Sequence, residues 1–320
     1  MKLNFFKNLL IFVFFFIIIF LLFLVLNFFI FKKDNPTLVR MERDSLKINE
    51  DTVSPIPSII DKNNYPSINA RAAILVDLET GYVMFRKNEN LKVAIASTTK
   101  IATAITVLED YYGNLEDIVN VSSRAAIING SDIKLEEGEK IKVKKLLYGL
   151  LINSGNDAAY ALADHFGGKE KFVSEMNAKV EKIGLKNTHY LCPAGLDDDG
   201  FSTAYDLTIL ARYAMRDKIF REIVRIPEMN ITSEDGNIVH ELKNSNRLML
   251  PEENNYYPQA IGIKTGFTYE AGHALVSAAE QDKHTLISVV LNTFEDNHVA
   301  SAGESKKLLE WGFANWRWNR

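Results

Sequence analysis

The stretch ASTTKIATAI, residues 96–105, combines the start of an apolar helical pattern with a Ser-x-x-Lys motif. Ile101 and Ile105 recur at helical spacing behind Ser97, so the pattern predicts a helix that begins at Ser97. In one interpretation Ser97 caps this helix and Lys100 is a solvated residue of its first turn. In the other, Ser97 is a nucleophile and Lys100, one turn along on the same face, is its base. The motif alone leaves both interpretations open.

The composition describes a globular chain. Its 320 residues are 47% hydrophobic, which is enough for a sizeable core, and 37 Lys and Arg against 41 Asp and Glu give a formal net charge of −4. This balance, without a dense basic run, excludes the electrostatic pattern of a nucleic-acid-binding protein. Cys192 is the single cysteine, so no internal disulfide can form.

Residues 9–31 form an apolar run in which Asn27 is the only polar residue. At the rise of an α-helix this run is long enough to cross a bilayer, and it meets Lys32 and Lys33 directly, without the small residues of a signal-peptide cleavage site. We therefore predict an uncleaved membrane anchor over residues 1–33. Residues 34–65 are polar and contain prolines, which predicts a flexible linker. The folded domain is predicted over residues 66–320.

The charges around the apolar run do not settle which side of the membrane holds the domain. Lys2 and Lys7 precede the run, and five basic residues follow it between Lys32 and Lys47. Taken alone, this asymmetry places the domain inside the cell. Long domains, however, translocate largely regardless of such charges, so both orientations stay open on this ground.

The folded part alternates between strand and helix patterns. Thr203 and Asp206 stand at capping-box spacing, which predicts a further helix start there. Strands near both ends of the domain enclose a helical middle, which predicts an α/β (α+β) fold with one antiparallel sheet, flanking helices and an inserted helical lobe. The helical patterns cover residues 97–111, 143–152, 157–166, 169–183 and 299–313, and the strand patterns cover residues 72–78, 82–85, 274–279 and 285–291.

Two further short motifs stand at breaks in these patterns. Ser154-Gly155-Asn156 lies between two predicted helices, and Lys264-Thr265-Gly266 lies at the start of the C-terminal strands. Taken singly, each motif favours an ordinary structural interpretation, an interhelix turn for the first and a strand start for the second. Together with the Ser-x-x-Lys motif they reproduce, in order, the Ser-x-x-Lys, Ser-x-Asn and Lys-Thr-Gly set of penicillin-recognising serine acyl-transferases.

Each motif supplies a group that acyl transfer requires. Ser97 is predicted to be the nucleophile and Lys100 its general base, with a pKa lowered by burial and by the neighbouring cation Lys264. Ser154 is predicted to relay a proton to the leaving amine, and Asn156 to hold the substrate amide and orient Lys100.

The third motif is predicted to bind substrate. The backbone N–H groups of Ser97 and Phe267 are the expected oxyanion donors. Gly266 is expected to let the substrate approach the strand, and Thr265 with Lys264 to bind a substrate carboxylate.

The chain from about residue 70 to residue 313 resembles the D-alanyl-D-alanine carboxypeptidases, the low-molecular-mass penicillin-binding proteins of serine peptidase family S11. Besides the three motifs, the resemblance rests on AAILVDLETG (72–81), LLYGLLINSGNDAAYALA (146–163), PAGLD (193–197), STAYDL (202–207), GIKTGFT (262–268) and SKKLLEWGF (305–313).

The resemblance implies a penicillin-binding protein and β-lactamase-like transpeptidase fold. It implies that the D-Ala-D-Ala end of a peptidoglycan stem peptide acylates Ser97, that the terminal D-Ala leaves and that water hydrolyses the acyl-enzyme. It also implies inhibition by β-lactams, no metal or organic cofactor, and a domain on the extracytoplasmic side of the cell membrane.

The sequence departs from the family pattern at several points. Many members carry an arginine before the last helix that binds the substrate carboxylate, whereas residues 292–299 contain none. His298 is expected to take its place, with a plain surface histidine as the alternative. Many members also continue into a β-rich domain and a C-terminal anchor, for which the N-terminal span is the expected substitute. Cys192 stands where asparagine is common, and we expect a structural role for it.

Two other functions share these motifs. A serine β-lactamase needs a glutamate that activates the deacylating water in class A enzymes, but residues 191–200 contain Asp197, Asp198 and Asp199 and no glutamate. This favours the peptidase. A membrane-tethered module that binds penicillin without turnover is the second alternative.

Overall fold

The computed structural model describes residues 56–62, 64–295 and 297–318. The predicted anchor over residues 1–33 and most of the predicted linker lie outside these residues. Within the described ranges, no helix has both the length and the apolar character that a bilayer crossing requires. A short strand, Ser58–Ile59, lies inside the range predicted as linker and pairs with Trp316–Arg317.

The strands and helices are numbered in chain order. The strands are β1 Ser58–Ile59, β2 Ala70–Asp77, β3 Val83–Lys87, β4 Val93–Ala94, β5 Ile118–Asn120, β6 Lys140–Lys142, β7 Phe201–Ser202, β8 Glu228–Thr232, β9 Val239–Lys243, β10 Ala260–Thr268, β11 Gly272–Gln281, β12 His284–Thr293 and β13 Trp316–Arg317. The α-helices are α1 Lys100–Asp110, α2 Ser123–Ala126, α3 Val143–Leu151, α4 Asn156–His165, α5 Lys169–Lys182, α6 Ala204–Ala214, α7 Lys218–Val224 and α8 Ala300–Asn315.

The central sheet has five antiparallel strands in the order β10-β11-β12-β2-β3. Strands from the C-terminal part of the domain therefore pair with the N-terminal hairpin, which confirms the predicted sheet. Its core strands are apolar on both faces; in β2, for example, only Arg71 is exposed. A sheet with two apolar faces must be covered on both sides.

Helices cover both faces. On one face, Leu308 and Leu309 of α8 pack with Leu75 and Leu286 in one buried cluster. On the other, α1 contributes Ile101 and Ile105 to the larger cluster, which also contains Ile74 and Val289 of the sheet and most of the helical lobe. Alternate residues of the same strands thus serve different cores, as the two-residue period of a strand requires.

The helix predicted from Ser97 begins differently. Residues Ala96–Thr99 form a 3-10 turn, and the α-helix starts only at Lys100. The Ser97 side chain makes no capping bond to the helix and is free for another role. The interpretation of Ser97 as a helix cap is therefore wrong, because its hydroxyl faces Lys100 instead.

Other predicted boundaries are close to those observed, with some physical differences. Thr203 Oγ1 caps α6 by accepting from the Asp206 backbone N–H at 3.0 Å, but the Asp206 carboxylate accepts from Asn187 and Thr188 instead of completing a capping box. The strand that carries Lys264 already begins at Ala260. Helix α7 and the β8–β9 hairpin had no predicted counterpart.

Candidate active site

Ser97 and Lys100 lie side by side at the start of α1. The Lys100 Nζ atom is 2.8 Å from Ser97 Oγ, and Lys100 is completely buried. Ala96 has a positive φ of 46°, a conformation that a residue with a side chain seldom adopts and that active sites often hold under strain. The turn thus aims Ser97 at its neighbour one turn along.

Two further groups hold Lys100. Its Nζ atom donates to Asn156 Oδ1 at 2.7 Å and to the Ala194 carbonyl at 2.8 Å. Asn156 Nδ2 in turn donates to the Asn129 carbonyl at 2.8 Å, which fixes the orientation of the amide. The two oxygen atoms that contact Lys100 Nζ, Asn156 Oδ1 and the Ala194 carbonyl oxygen, can only accept hydrogen bonds. A neutral lysine that donates to both therefore directs its lone pair at the Ser97 hydroxyl.

The protonation of Lys100 follows from its environment. Burial lowers the pKa of Lys100 to about 7, against the opposing effects of Cys192 and Asp157. The pKa of Lys264 is also lowered well below its usual range, first by burial and then by the positive charge of Lys100. The charge of Lys264 was predicted to lower the pKa of Lys100, but in the structure the charge of Lys100 lowers the pKa of Lys264. Burial is the main reason that Lys100 can be neutral near pH 7.

Ser154 and Lys264 form the second half of the site. Ser154 lies in the break between α3 and α4 with a positive φ of 65°. Its Oγ accepts from Lys264 Nζ at 2.8 Å, and Lys264 Nζ also donates to the Thr265 carbonyl at 3.0 Å. Because Lys264 is buried and donates to these two atoms, the polar side chain of its motif that lines the cavity is the half-buried Thr265, whose hydroxyl lies 2.6 Å from Ser245 Oγ.

Gly266 brings the edge strand β10 against the Ser97 turn. A side chain at Gly266 would place its Cβ atom 2.9 Å from the Ile95 carbonyl oxygen and 3.2 Å from the Ser97 nitrogen. The prediction attributed this glycine to substrate approach, but its nearest neighbour is the turn itself. The absence of a side chain lets β10 and the nucleophile turn lie in contact, with Ser97 and Phe267 on one cavity wall.

A cavity of about 370 Å³ collects most of the predicted residues. Lys100 and Lys264 lie behind its wall and act through Ser97 and Ser154. The predicted residues that line it are Ser97, Ser154, Asn156, Thr265, Gly266, Phe267 and His298. Sequence reasoning missed Ser245 and Arg247, because they belong to no recognised motif. Arg247 begins the short 3-10 helix Arg247–Met249 and forms an ion pair with Glu253.

A profile of the D-alanyl-D-alanine carboxypeptidase family matches residues 60–295. The chain belongs to this family. It is 34% identical over 252 residues to D-alanyl-D-alanine carboxypeptidase DacF of Bacillus subtilis, a match that covers 77% of the chain and 63% of the relative. It is 32% identical over 253 residues to carboxypeptidase DacB2 of Mycobacterium tuberculosis, with 78% and 84% covered. The chain thus spans less than two thirds of the length of the Bacillus relative.

The fold is shared with solved structures. A Streptomyces DD-transpeptidase superposes with a TM-score of 0.72 at 32% identity, covering 78% of this chain and 99% of that one. This confirms the predicted transpeptidase-like fold of the domain. The family membership also explains the order of the three motifs along the chain.

In this carboxypeptidase-family chain, a buried carboxylate holds the loop that forms one cavity wall. Asp157 accepts from the backbone N–H groups of Ile133, Leu135 and Ala158 at 2.8–3.1 Å, and burial raises the pKa of its carboxyl. His240 of β9 fixes the same loop, since its ring lies 2.7 Å from both the Ile133 carbonyl and the Glu139 carboxylate. Neither the Asp157 contacts nor the His240 contacts were predicted from the sequence, because both join segments that are far apart in the chain.

Proposed function

We propose that this protein is a serine-type D-alanyl-D-alanine carboxypeptidase that removes the terminal D-Ala from peptidoglycan stem peptides. The observation that carries the proposal is the contact between Ser97 Oγ and a buried lysine whose pKa is about 7. Such a lysine is neutral often enough near pH 7 to accept the serine proton, which a lysine of ordinary pKa is not.

The first half-reaction forms the acyl-enzyme. Ser97 Oγ attacks the carbonyl carbon of the penultimate D-Ala while its proton passes to neutral Lys100. The resulting oxyanion lies against the backbone N–H groups of Ser97 and Phe267. When the C–N bond breaks, the proton that Lys100 took from Ser97 passes to the leaving amine through Ser154, whose Oγ accepts from Lys264 Nζ, and Lys100 is neutral again.

The second half-reaction returns the enzyme to its starting state. Water attacks the ester carbonyl while one of its protons passes to neutral Lys100, and Lys100 then gives that proton to Ser97 Oγ as the ester C–O bond breaks. Within the described ranges, Lys100 is the titratable side chain that bonds to Ser97 Oγ. This arrangement favours a peptidase over a β-lactamase, whose deacylation uses an additional carboxylate.

We propose that Arg247 binds the carboxylate of the terminal D-Ala, together with the hydroxyls of Thr265 and Ser245. Arg247 contributes a guanidinium to the wall of the same cavity, and Arg binds carboxylates with two parallel bonds. His298 lines the cavity as well and remains the alternative. The arginine that many family members carry before the last helix, here α8, would then be replaced in function by an arginine from the segment before β10.

We propose further that residues 1–33 anchor the protein in the cell membrane as a single span, with the domain on the extracytoplasmic side. The apolar run over residues 9–31 supports the anchor. The location of peptidoglycan outside the cytoplasm supports the orientation. Cleavage of the domain by a protease added to intact spheroplasts would test it, and protection of the domain would contradict it.

One experiment tests the activity against both alternatives. The full chain in detergent is incubated with a D-Ala-D-Ala pentapeptide and with a fluorescent penicillin, beside Ser97→Ala. Release of D-Ala together with slow release of penicillin supports the carboxypeptidase. Rapid penicillin hydrolysis would indicate a β-lactamase, and labelling without D-Ala release would indicate a binding module. Labelling of Ser97→Ala would show that another residue is the nucleophile.

A further inference from the structure

A cavity separate from the active-site cavity lies at the other end of the central sheet. Its volume is about 370 Å³, and its walls come from the turn after β2, the end of α6 and helix α7. The residues that line it are Leu78, Glu79, Arg212, Met215, Arg216 and Arg221. None of these residues lines the active-site cavity, and we call this second space the arginine cavity.

The strand pairing shows how far the arginine cavity lies from the reaction centre. Thr265 of the third motif stands in one row across the sheet with Leu275, Val290 and Ala73. Leu78 lies five residues beyond Ala73 in the chain. At about 3.3 Å per residue this separation is roughly 17 Å along the strand direction. The arginine cavity is therefore not a part of the reaction centre.

The turn after β2 holds Arg212 in the wall of the arginine cavity. Arg212 Nε donates to the Leu78 carbonyl at 2.8 Å, and its Nη2 atom donates to the Glu79 carbonyl at 3.1 Å. Gly81 leaves room for the guanidinium, because a Cβ atom at Gly81 would lie 2.3 Å from Arg212 Nη1. The position of this guanidinium is thus fixed by the backbone on which it rests.

The other two arginines come from the end of α6 and from α7. Arg221 Nη1 donates to the Met215 carbonyl at 2.6 Å and to the Arg216 carbonyl at 2.8 Å. Arg216 is exposed, and its guanidinium lies over the Tyr213 ring, 5.9 Å from the centroid. Carbonyl groups and an aromatic ring orient the guanidinium groups but carry no formal charge. The positive charges of the arginines therefore remain uncompensated by these contacts.

Three positive charges and one negative charge line the arginine cavity. Glu79 is its acidic residue, and within the described ranges no carboxylate forms an ion pair with Arg212, Arg216 or Arg221. Burial lowers the pKa of Arg212 most, and the charge of Arg216 lowers it further, against the opposing effects of Asp77 and Glu79. Arginine keeps its proton in proteins, so the lining holds an excess of two positive charges.

We propose that the arginine cavity binds a phosphate group with two negative charges, either as soluble phosphate or as the headgroup of an acidic lipid. A phosphate monoester carries about −1.5 to −2 charges at pH 7 and three acceptor oxygens, and guanidinium groups bind phosphate through two parallel hydrogen bonds. A carboxylate would compensate only one of the two excess charges. The site includes no group of the proposed reaction, so it stands or fails independently of that reaction.

The test measures binding by isothermal titration calorimetry on the full chain in detergent. Sodium phosphate is one probe, phosphatidic acid mixed into the detergent micelles is the other, and sodium chloride at the same ionic strength is the control. Arg216→Gln removes one charge from the arginine cavity. Arg71→Gln is the matched control, because Arg71 is an exposed arginine of β2 outside that cavity. Both are surface changes, so both variants are expected to fold, which thermal unfolding checks.

We expect phosphate to bind the wild type and Arg71→Gln equally and to bind Arg216→Gln about tenfold more weakly, since a charged hydrogen-bond donor is lost. Tighter binding of phosphatidic acid than of sodium phosphate, with the same dependence on Arg216, would assign the site to a lipid headgroup. Equal or weaker binding of the lipid would assign it to soluble phosphate. Binding that Arg216→Gln leaves unchanged, or no binding of either probe, would overturn the proposal.

Discussion

The Oδ1 atom of Asn156 lies 2.7 Å from the Nζ atom of Lys100, although 56 positions separate the two residues in the chain. Asn156 is the first residue of α4, and Lys100 is the first residue of α1. The contact therefore joins the helical lobe to the nucleophile turn at the starts of two helices. It occupies one of the protons of Lys100 and so helps to decide where the lysine lone pair points.

The acylation rate is expected to rise with pH around neutrality. Only neutral Lys100 accepts the Ser97 proton, and its pKa is about 7, so the rate should increase through that pH and reach a plateau above it. The measurement is the rate of labelling by a fluorescent penicillin between pH 5 and pH 9. A rate that stays flat over this range would contradict the assignment of Lys100 as the base.

Lys100→Arg tests the same assignment by substitution. Arginine keeps the positive charge and the length of the side chain but cannot lose its proton in a protein, so labelling should fall by about 10³-fold or more. Lys179→Arg is the matched control, because Lys179 is an ion-paired lysine on α5 with no contact to Ser97. An arginine variant that labels at the wild-type rate would show that another group is the base.

Arg247→Gln is expected to raise KM for D-Ala-D-Ala peptides about tenfold or more, since one charged hydrogen-bond donor to the substrate carboxylate is lost. The penicillin labelling rate should fall as well, because penicillins carry a carboxylate. His298→Gln is the comparison: if His298 binds the carboxylate instead, the larger KM effect will appear there. Peptide amides, which lack the carboxylate, should not distinguish Arg247→Gln from the wild type.

Much of this fold was predictable because its signals are local. The apolar periods of residues 143–152 and 169–183 lie within two residues of α3 and α5, and the hairpin around Gly81 pairs as expected. The β8–β9 hairpin was missed. Its strands alternate exposed residues with buried or partly buried ones over only five positions each, so the apolar pattern is short.

The residues of the site were predictable only where they belong to a recognised sequence motif. Ser97, Lys100, Ser154, Asn156 and Lys264 meet in space as their order suggested. Arg247 was not found, because its place in the cavity depends on how the segment before β10 folds back, and no local pattern encodes that path. The contact of Ala194 with Lys100 was hidden for a different reason: it uses a backbone carbonyl, which every residue has.

The buried pair of His240 and Glu139 should make stability depend on pH. Burial lowers the pKa of His240, but the Glu139 carboxylate and the Ile133 carbonyl raise it by more, so the net change is upward. A raised folded pKa adds stability below about pH 6.5, and this stability is lost as the pH rises through the folded pKa. Lys100 and Lys264, with lowered pKa values, act in the opposite sense above neutrality.

Comparison with Glu139→Gln isolates the contribution of the His240–Glu139 pair to the pH dependence of stability, because Lys100 and Lys264 are present in both proteins and their contributions cancel. The difference in free energy of unfolding between the wild type and Glu139→Gln should be largest near pH 6 and should shrink towards pH 9. Urea unfolding at several pH values measures it. A difference that stays constant with pH would mean that His240 is neutral throughout and that the pair acts as an ordinary hydrogen bond.

Gly195→Ala should abolish acylation, because Gly195 allows the chain that carries Ala194 to touch the nucleophile turn. A Cβ atom there would lie 1.9 Å from the Ala96 carbonyl oxygen, so the Ala194 carbonyl or the Ser97 turn must move. Gly184→Ala is the matched control, since both glycines have positive φ, 77° and 88°, but a Cβ atom at Gly184 would meet no atom within 4 Å beyond its chain neighbours. In each variant an alanine must adopt a positive φ, which costs about 1–2 kcal/mol, and only Gly195→Ala adds a steric clash with the Ala96 carbonyl oxygen. Penicillin labelling and thermal unfolding of both variants provide the readout, and a Gly195→Ala protein that labels like Gly184→Ala would contradict the role of this contact.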